Sequence, residues 1–212
     1  MRILATSVVL SLALTACKTT GVDNAENAAQ TMRDMMTALE AAPTKIDSVA
    51  SSLQELAKEG GDMKAEFAAF SGHVDSLISH RDQIRNLKTQ VESSRATFVN
   101  AWEEKLKTMP DEELRERAQG RRDAVIAEFA KVKEVSDSGK AEFEPWMKNV
   151  ESVRTYIEHD LNPSGVASVK DRVEQISKGA VSVNKKITTV VSELERIGKA
   201  ISAAKPPADE KK

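Results

Sequence analysis

The clearest structural signal in the chain lies in residues 166–201, whose sequence is VASVKDRVEQISKGAVSVNKKITTVVSELERIGKAI. Its apolar residues are separated alternately by three and four positions, which is the seam pattern of a coiled coil. A helix with such a narrow apolar stripe has to bury that stripe against other helices, so the stretch predicts a helical bundle. The seam residues are Val166, Val169, Val173, Ile176, Ala180, Val183, Ile187, Val190, Leu194, Ile197 and Ile201.

Three earlier stretches repeat this spacing, and turn-forming residues separate them from one another. The breaks lie at residues 60–62, 109–111 and 162–165, where Gly, Pro, Asp, Asn and Ser cluster. Asp62 is suited to cap a helix N-terminus. Asp111 precedes two glutamates, and acidic side chains stabilise the positive end of a helix dipole.

These breaks leave four long helices joined by short loops, and short loops make consecutive helices antiparallel. We therefore predict an all-α fold, an elongated antiparallel up-down-up-down four-helix bundle. Pro43 and Pro145 each remove one helical hydrogen bond, but the apolar pattern continues through both, so we expect kinks rather than breaks. The predicted helices span about residues 24–58, 62–108, 111–161 and 164–203.

The composition fits thin apolar seams between helices better than a broad aromatic core. Charged residues make up 30% of the chain and aromatic residues only 4%. The formal net charge of −2 shows no basic excess, so we expect no nucleic-acid partner.

The N-terminus has the pattern of a secreted lipoprotein. Arg2 precedes an apolar run that is too short to span a bilayer, as in a signal peptide, and small residues then lead to Cys17. An ordinary signal peptide near an unrelated cysteine is the alternative. Cys17 is the only cysteine, however, and a lone thiol in an oxidising compartment has no disulfide partner. We therefore predict cleavage before Cys17 and anchoring there by acyl chains.

This assignment sets the expected organisation and location of the chain. Lys18 stands where an Asp would act as an inner-membrane retention signal, so in a cell with two membranes we predict the periplasmic face of the outer membrane. The predicted segments are a signal peptide at 1–16, a lipidated tether at 17–23, a helical bundle domain at 24–204 and a disordered tail at 205–212.

One stretch, YIEHDLNPSGVASV at residues 156–169, resembles a family of uncharacterised proteobacterial helical lipoproteins catalogued as a domain of unknown function. The sequences GGD at 60–62, AWE at 101–103 and EPW at 144–146 add to the resemblance. It covers about residues 24–203 and implies a helical fold. It implies no activity, substrate or cofactor, because none is established for the family.

No constellation of residues points to catalysis, so we predict no enzyme activity, no cofactor and no metal. Gly139 and Gly198 each precede a Lys, but neither belongs to a complete phosphate-binding loop. His73 and His80 are seven residues apart, too far to share one ion without bridging ligands, and we expect both to face solvent. The carboxylates alternate with Lys and Arg, as on a solvated helix face.

The second predicted helix has cations where its seam calls for apolar residues. Steps of seven from Val74 lead to Arg81, Lys88 and Arg95. One explanation is a polar layer that fixes helix register. The one we favour is a drift of the seam by one residue, with the cations lying along the groove. The drifted positions are His80, Leu87, Ser94 and Ala101.

The third predicted helix has small residues, Ser136 and Gly139, on its seam. Three explanations for these small residues have equal weight: a close approach by another group, a small cavity or flexible point, or a seam that drifts to the surface. Counting outward from the turn near residue 110 pairs Arg81 with Gly139. We therefore predict that Arg81 lies beside these small residues, with Asp137 or Glu40 near its guanidinium.

The two central helices are the longest, so we expect the hairpin from Phe98 to Arg122 to protrude at the Cys17 end of the bundle. Such a hairpin can pair with itself as a two-stranded coiled coil, or it can dock to a partner. The candidate docking residues are Trp102, Lys105, Met109, Arg115, Arg121 and Arg122.

These features favour a membrane-anchored envelope lipoprotein that acts as a structural scaffold or interaction module. The expected partners are the membrane, through acyl chains on Cys17, and an unidentified envelope protein. The alternative is a carrier that binds an apolar ligand or lipid between its helices. The regular seam argues against that alternative, because the 3-4 pattern packs dry.

Overall fold

The computed structural model describes residues 20–58 and 60–203. Within these residues the chain forms five α-helices and no strand. Consecutive long helices run antiparallel and pack side by side, α1 against α2 and α5, and α3 against α5 and α2. The predicted all-α bundle is confirmed. The helices are α1 (Thr20–Leu56), α2 (Met63–Lys107), α3 (Glu112–His159), α4 (Pro163–Ser168) and α5 (Lys170–Ala203).

Short polar side chains begin three of the helices. The Asp62 carboxylate accepts hydrogen bonds from the backbone N–H groups of the first turn of α2, and Asp111 does the same for α3. Asn162 accepts from two N–H groups at the start of α4. These bonds satisfy donors that have no partner within the helix. Gly60 precedes α2 with a φ of +91°, which favours glycine.

The helix ends lie within two residues of the prediction, with two exceptions. Helix α1 already begins at Thr20, so the described part of the predicted tether is helical. The last predicted helix is divided at Val169, where the N–H group bonds to the carbonyl oxygen of Val166 at 3.3 Å in a tightened turn. Both valines stay buried, so the turn keeps the seam intact. Residues 1–19 and 204–212, which include the predicted signal peptide, Cys17 and the tail, lie outside the described residues.

Two cores fill the bundle. We call the one beside the connections at residues 57–62 and 160–162 the turn-end core, and the one toward the α2–α3 connection the tip-end core. The turn-end core holds the buried residues within 42–56, 70–77, 146–157 and 166–187, and the tip-end core those within 28–35, 91–106, 118–132 and 190–201.

The four long helices contribute unequally at the level where the two cores meet. Every predicted seam residue of residues 166–201 is buried, and α1 continues its seam through Ala38. In contrast, α2 has no buried residue between 81 and 90, and α3 has none between 133 and 145. At this level, therefore, only α1 and α5 contribute fully buried side chains, whereas α2 and α3 contribute none.

Candidate functional site

A cavity of about 140 Å³ occupies this level of the bundle. Four helices line it, and it is partly open to solvent. The lining residues are Met35, Leu39 and Ala42 from α1, Leu77, His80, Arg81, Ile84, Arg85 and Lys88 from α2, Ser136, Gly139, Lys140, Phe143 and Glu144 from α3, and Ile187 and Val190 from α5.

Small residues and prolines explain why the seam opens here. Ala42, Ser136 and Gly139 give the cavity wall little side-chain volume. Pro43 and Pro145 lie next to lining residues and inside continuous helices, as predicted. Each removes an N–H group from its helix and crowds the preceding turn, which favours a bend. A Cβ atom on Gly139 would lie 3.1 Å from Val190 Cγ2, so α3 approaches α5 closely at this point.

The deep surface of the cavity is apolar. Met35 and Leu77 are 1% exposed, and Ile187 and Val190 are buried against them. Leu39, Ile84 and Phe143 are partly buried and complete the wall. A ligand at this depth would therefore contact mainly aliphatic and aromatic carbon.

Two polar groups sit in this apolar wall. His80 is buried, and its Nε2 lies 2.8 Å from the carbonyl oxygen of Ala38. Because a carbonyl oxygen only accepts, Nε2 carries the proton and donates it. The Oγ atom of Ser136 is buried without a hydrogen-bond partner among the described residues, whereas Ser138 Oγ on the same helix donates to Val135 O at 2.8 Å. An unpaired buried hydroxyl is costly, so Ser136 is suited to bind an incoming acceptor.

The rim of the cavity carries four cations. Arg85 Nη2 lies 2.6 Å from Glu144 Oε1, which joins α2 to α3. Lys88 Nζ lies 2.8 Å from Asp137 Oδ1. Hydrogen bonds from Lys133 and then from Lys88 lower the pKa of Asp137 to about 2. Arg81 and Lys140 are the other two cations of the rim.

A second cleft, of about 410 Å³, lies between α1 and α5 in the tip-end half. Met32 and Phe129 contribute to its apolar wall. Its charged side chains are already bonded within their own helices, Arg33 to Gln30 and Lys199 to Glu195. This cleft offers no buried unpartnered polar atom among the described residues, so the mid-bundle cavity is the better candidate site.

A family model described as a protein of unknown function (DUF2959) matches residues 15–201. The chain belongs to this family. The match spans every residue that lines the cavity and includes Cys17. It confirms the predicted resemblance to a family catalogued as a domain of unknown function. No curated protein and no solved structure matches the DUF2959 chain.

The structure supports the favoured explanation for the cations of α2 in part. Two of the four drifted positions, His80 and Ser94, are buried, and the other two, Leu87 and Ala101, are partly buried. The cations Arg81, Lys88 and Arg95 are also only partly buried. The expectation that His80 faces solvent is wrong, since the drift turns its ring inward. His73, which was also expected to face solvent, is exposed.

The predicted surroundings of Arg81 are partly confirmed. Arg81 borders the same cavity as Ser136 and Gly139. Its predicted partner is wrong, because its guanidinium lies 3.2 Å from Asp82 and 3.8 Å from Glu151. Counting residues outward from the turn assumed that α2 and α3 pair residue for residue. The ion pairs instead join Arg85 to Glu144 and Lys88 to Asp137, farther from the turn along α3 than the count places them. Asp137 accepts hydrogen bonds from Lys88 and Lys133, and Glu40 is not among the carboxylates paired with Arg81 in the described residues.

At the tip, the hairpin buries its own seam. Trp102 is 4% exposed and packs edge-on against Phe98, with ring centroids 5.4 Å apart. Arg122 Nη1 lies 3.7 Å from Glu103 Oε1 across the two helices. This arrangement favours the self-paired hairpin and removes Trp102 as an exposed anchor, although Leu114 is 56% exposed. Of the other candidates, Lys105, Met109 and Arg115 are partly buried and Arg121 is exposed.

Cys17 lies outside the described residues, so its predicted lipidation stays a prediction. Within residues 20–58 and 60–203, no three His, Cys, Asp or Glu side chains are grouped to hold a metal ion. Over the same residues, no helix contains an apolar stretch long enough to cross a membrane.

The cavity is the feature that the sequence left as one of three explanations for Ser136 and Gly139. A stronger sequence signal for a cavity was the occurrence of small residues close to prolines within the same helices. Ala42 precedes Pro43, and Gly139 lies six residues before Pro145, so two helices carry both features at similar heights. Small seam residues near an in-helix proline on two helices that line the same cavity indicate a void more strongly than either feature does alone.

Proposed function

We propose that this DUF2959 protein is an envelope-anchored carrier or sensor that binds a small apolar molecule in its mid-bundle cavity. The observation that carries the proposal is the apolar cavity of about 140 Å³ between the two cores. Ligand sites in helical proteins commonly lie between the helices of a bundle.

The size of the cavity supports this role. A cavity of about 150 Å³ lined by Leu, Ile and Phe side chains is large enough to bind benzene. The cavity here has nearly the same volume and a similar deep lining, with Met35, Leu77 and Val190 at its base.

The unequal burial of the helices supports a route of entry. Residues 81–90 of α2 and 133–145 of α3 include no buried side chain. A ligand could therefore enter between α2 and α3 by displacing only partly buried side chains. The seams of α1 and α5 continue past the cavity and would hold the bundle together during entry.

Anchoring at Cys17 would place the bundle close to a membrane. Only two residues separate Cys17 from the start of α1 at Thr20. Replacement of Cys17 by Ser should abolish incorporation of labelled palmitate and release the protein from the membrane fraction. A Cys17→Ser protein that still fractionates with membranes at the wild-type level would contradict the anchor.

Methionine methyl NMR would test the ligand site directly. Met35 lines the cavity, whereas Met63 lies at the start of α2 and Met109 at the tip. In the full chain reconstituted in lipid nanodiscs, benzene should shift the Met35 methyl resonance in a saturable way and leave Met63 and Met109 unchanged. Absence of a Met35 shift at saturating benzene would contradict the proposal.

A pair of glycine variants provides the control. Gly139→Leu places a side chain at the cavity wall and should abolish the benzene-dependent shift of Met35. Gly120→Leu makes the same change on α3, at a position where a Cβ atom would meet nothing within 4 Å, and should leave binding intact. Equal loss of the shift in both variants would mean that the effect is not local to the cavity.

A role as an interaction module is a second proposal. It is supported by Leu114, an exposed large apolar side chain at the tip hairpin. Photocrosslinking from position 114 in intact cells should capture one defined envelope protein, and position 181, which is also exposed and apolar, provides the control. Identical adducts from the two positions, or none from position 114, would contradict docking at the tip.

A further inference from the structure

We propose that the ligand of the mid-bundle cavity is a monoanionic amphiphile, a carboxylate with an apolar body of about six carbon atoms. Its carboxylate would be held between the Lys140 ammonium at the cavity rim and the Ser136 hydroxyl in the cavity wall. This inference rests on the proposed function and names the ligand class for the same site.

The charges around the cavity leave one cation uncompensated. Arg81 faces Asp82 and Glu151, and Arg85 faces Asp82 and Glu144. Lys88 is paired with Asp137, which Lys133 also contacts. These interactions neutralise most of the local positive charge, so the fourth cation of the rim decides which ligand charge fits.

Lys140 is that fourth cation. It lines the cavity at an exposed position of α3, and it forms no ion pair within the described residues. A carboxylate on a ligand would supply the missing partner, and a charge-assisted hydrogen bond from Lys is stronger than a neutral one. One uncompensated cation matches one negative charge, which favours a carboxylate over a doubly charged phosphate monoester.

Ser136 provides a second donor on the same face of α3. Residues four apart on a helix lie above one another, so Ser136 and Lys140 are neighbours at the cavity wall. The Ser136 hydroxyl is buried and has no partner among the described residues. A carboxylate between the two side chains would satisfy both of them at once, while its apolar body filled the space beside Met35 and Leu77.

The volume sets the size of the apolar body. A cavity of about 140 Å³ accommodates roughly a benzene ring or a short aliphatic chain. A long-chain fatty acid would have to leave most of its chain outside. The chemistry of the site therefore fits a medium-chain or aryl carboxylate.

The test compares three eight-carbon ligands whose head groups differ in charge and chemistry. Octanoate, 1-octanol and octyl phosphate would be titrated into the full chain in nanodiscs, with the Met35 methyl resonance as the readout. We expect octanoate to bind about threefold to tenfold more tightly than 1-octanol. Lys140→Gln should remove that difference, and Ser136→Ala should weaken octanoate binding. Lys148→Gln makes the same charge change at an exposed position of α3 outside the cavity and should bind octanoate like the wild type.

The outcomes separate this inference from the proposed function. Equal binding of octanoate and 1-octanol, tighter binding of octyl phosphate than of octanoate, or an unchanged preference in Lys140→Gln would overturn the carboxylate assignment and leave the apolar site intact. Absence of any Met35 shift with all three ligands and with benzene would overturn the proposed function itself, and the ligand class with it.

Discussion

The turn-end core and the layer around the mid-bundle cavity are built from the same four long helices, but they are packed in different ways. In the turn-end core every long helix contributes fully buried side chains, such as Ile46, Phe70, Val150 and Ile176, all at most 1% exposed. Around the cavity, α1 and α5 keep their seams, and α2 and α3 present partly exposed, charged residues instead. A bundle can therefore take its stability from one region and leave another region free to bind.

Truncation of core side chains should show the largest difference in stability between the turn-end core and the cavity layer. Leu53 is completely buried in the turn-end core, and Leu53→Ala should reduce the free energy of unfolding by about 3 kcal/mol through lost burial and a new cavity. Ile84 is only partly buried and already faces empty space, so Ile84→Ala should cost about 1 kcal/mol or less. Urea unfolding of both variants would measure the two losses, and an equal loss would mean that the middle layer is packed like the core.

Two glycines sharpen the same contrast between packed and open positions. A Cβ atom on Gly179 would lie 2.7 Å from Trp146 Cδ1, and the Trp146 Nε1–H group is fixed by a 2.9 Å hydrogen bond to Ile176 O. Gly179→Ala should therefore destabilise the bundle by about 1–3 kcal/mol through overpacking. Thermal unfolding followed by circular dichroism would measure the change.

The matched variant is Gly120→Ala, whose Cβ atom would meet nothing within 4 Å. Here alanine should stabilise α3 by about 0.5–1 kcal/mol, because glycine is the poorer helix former. Shifts of the same sign in the two variants would contradict the packing described around Trp146.

The smallest expected effect concerns acid sensitivity at the cavity rim. Because Lys133 and Lys88 lower the pKa of Asp137 from 3.8 to about 2, the folded state holds this proton less readily than the unfolded state. The resulting stabilisation is present above about pH 4 and is lost as the pH falls toward about 2. It should be small, since the pair is exposed.

Asp137→Asn lacks this titration, so the difference in melting temperature between it and the wild type should shrink over that pH window. Melting temperatures measured between about pH 5 and pH 2 would show the trend. A difference that stays constant across the window would contradict the ion-pair assignment.

The sequence predicted the regular parts of the molecule well, for a physical reason. A seam such as that of residues 166–201 can be buried in only one way, so its spacing determines which residues form the core. The caps at Asp62 and Asp111 depend only on local chemistry, and both are confirmed. Trp102 shows the opposite outcome: it was predicted as a docking residue, but the facing helix buries this seam aromatic at the tip.

The middle layer could not be predicted to the same degree. The partner of Arg81 depends on the relative register of α2 and α3, and the burial of His80 depends on a one-residue drift of the seam. Neither quantity follows from spacing when the seam residues are charged or small. The cavity itself depends on how far Pro43 and Pro145 bend their helices. The sequence predicts that the bends occur but not their angles.

The central claim is that the middle of the bundle holds an accessible apolar cavity rather than a collapsed seam. A crystal of the protein pressurised with xenon tests it most directly, because xenon occupies dry apolar cavities of this size. The account predicts one xenon atom or more between the two cores, in contact with Met35, Leu77 and Val190. Side chains of α2 and α3 closed over that position, with no xenon bound there at pressure, would contradict it.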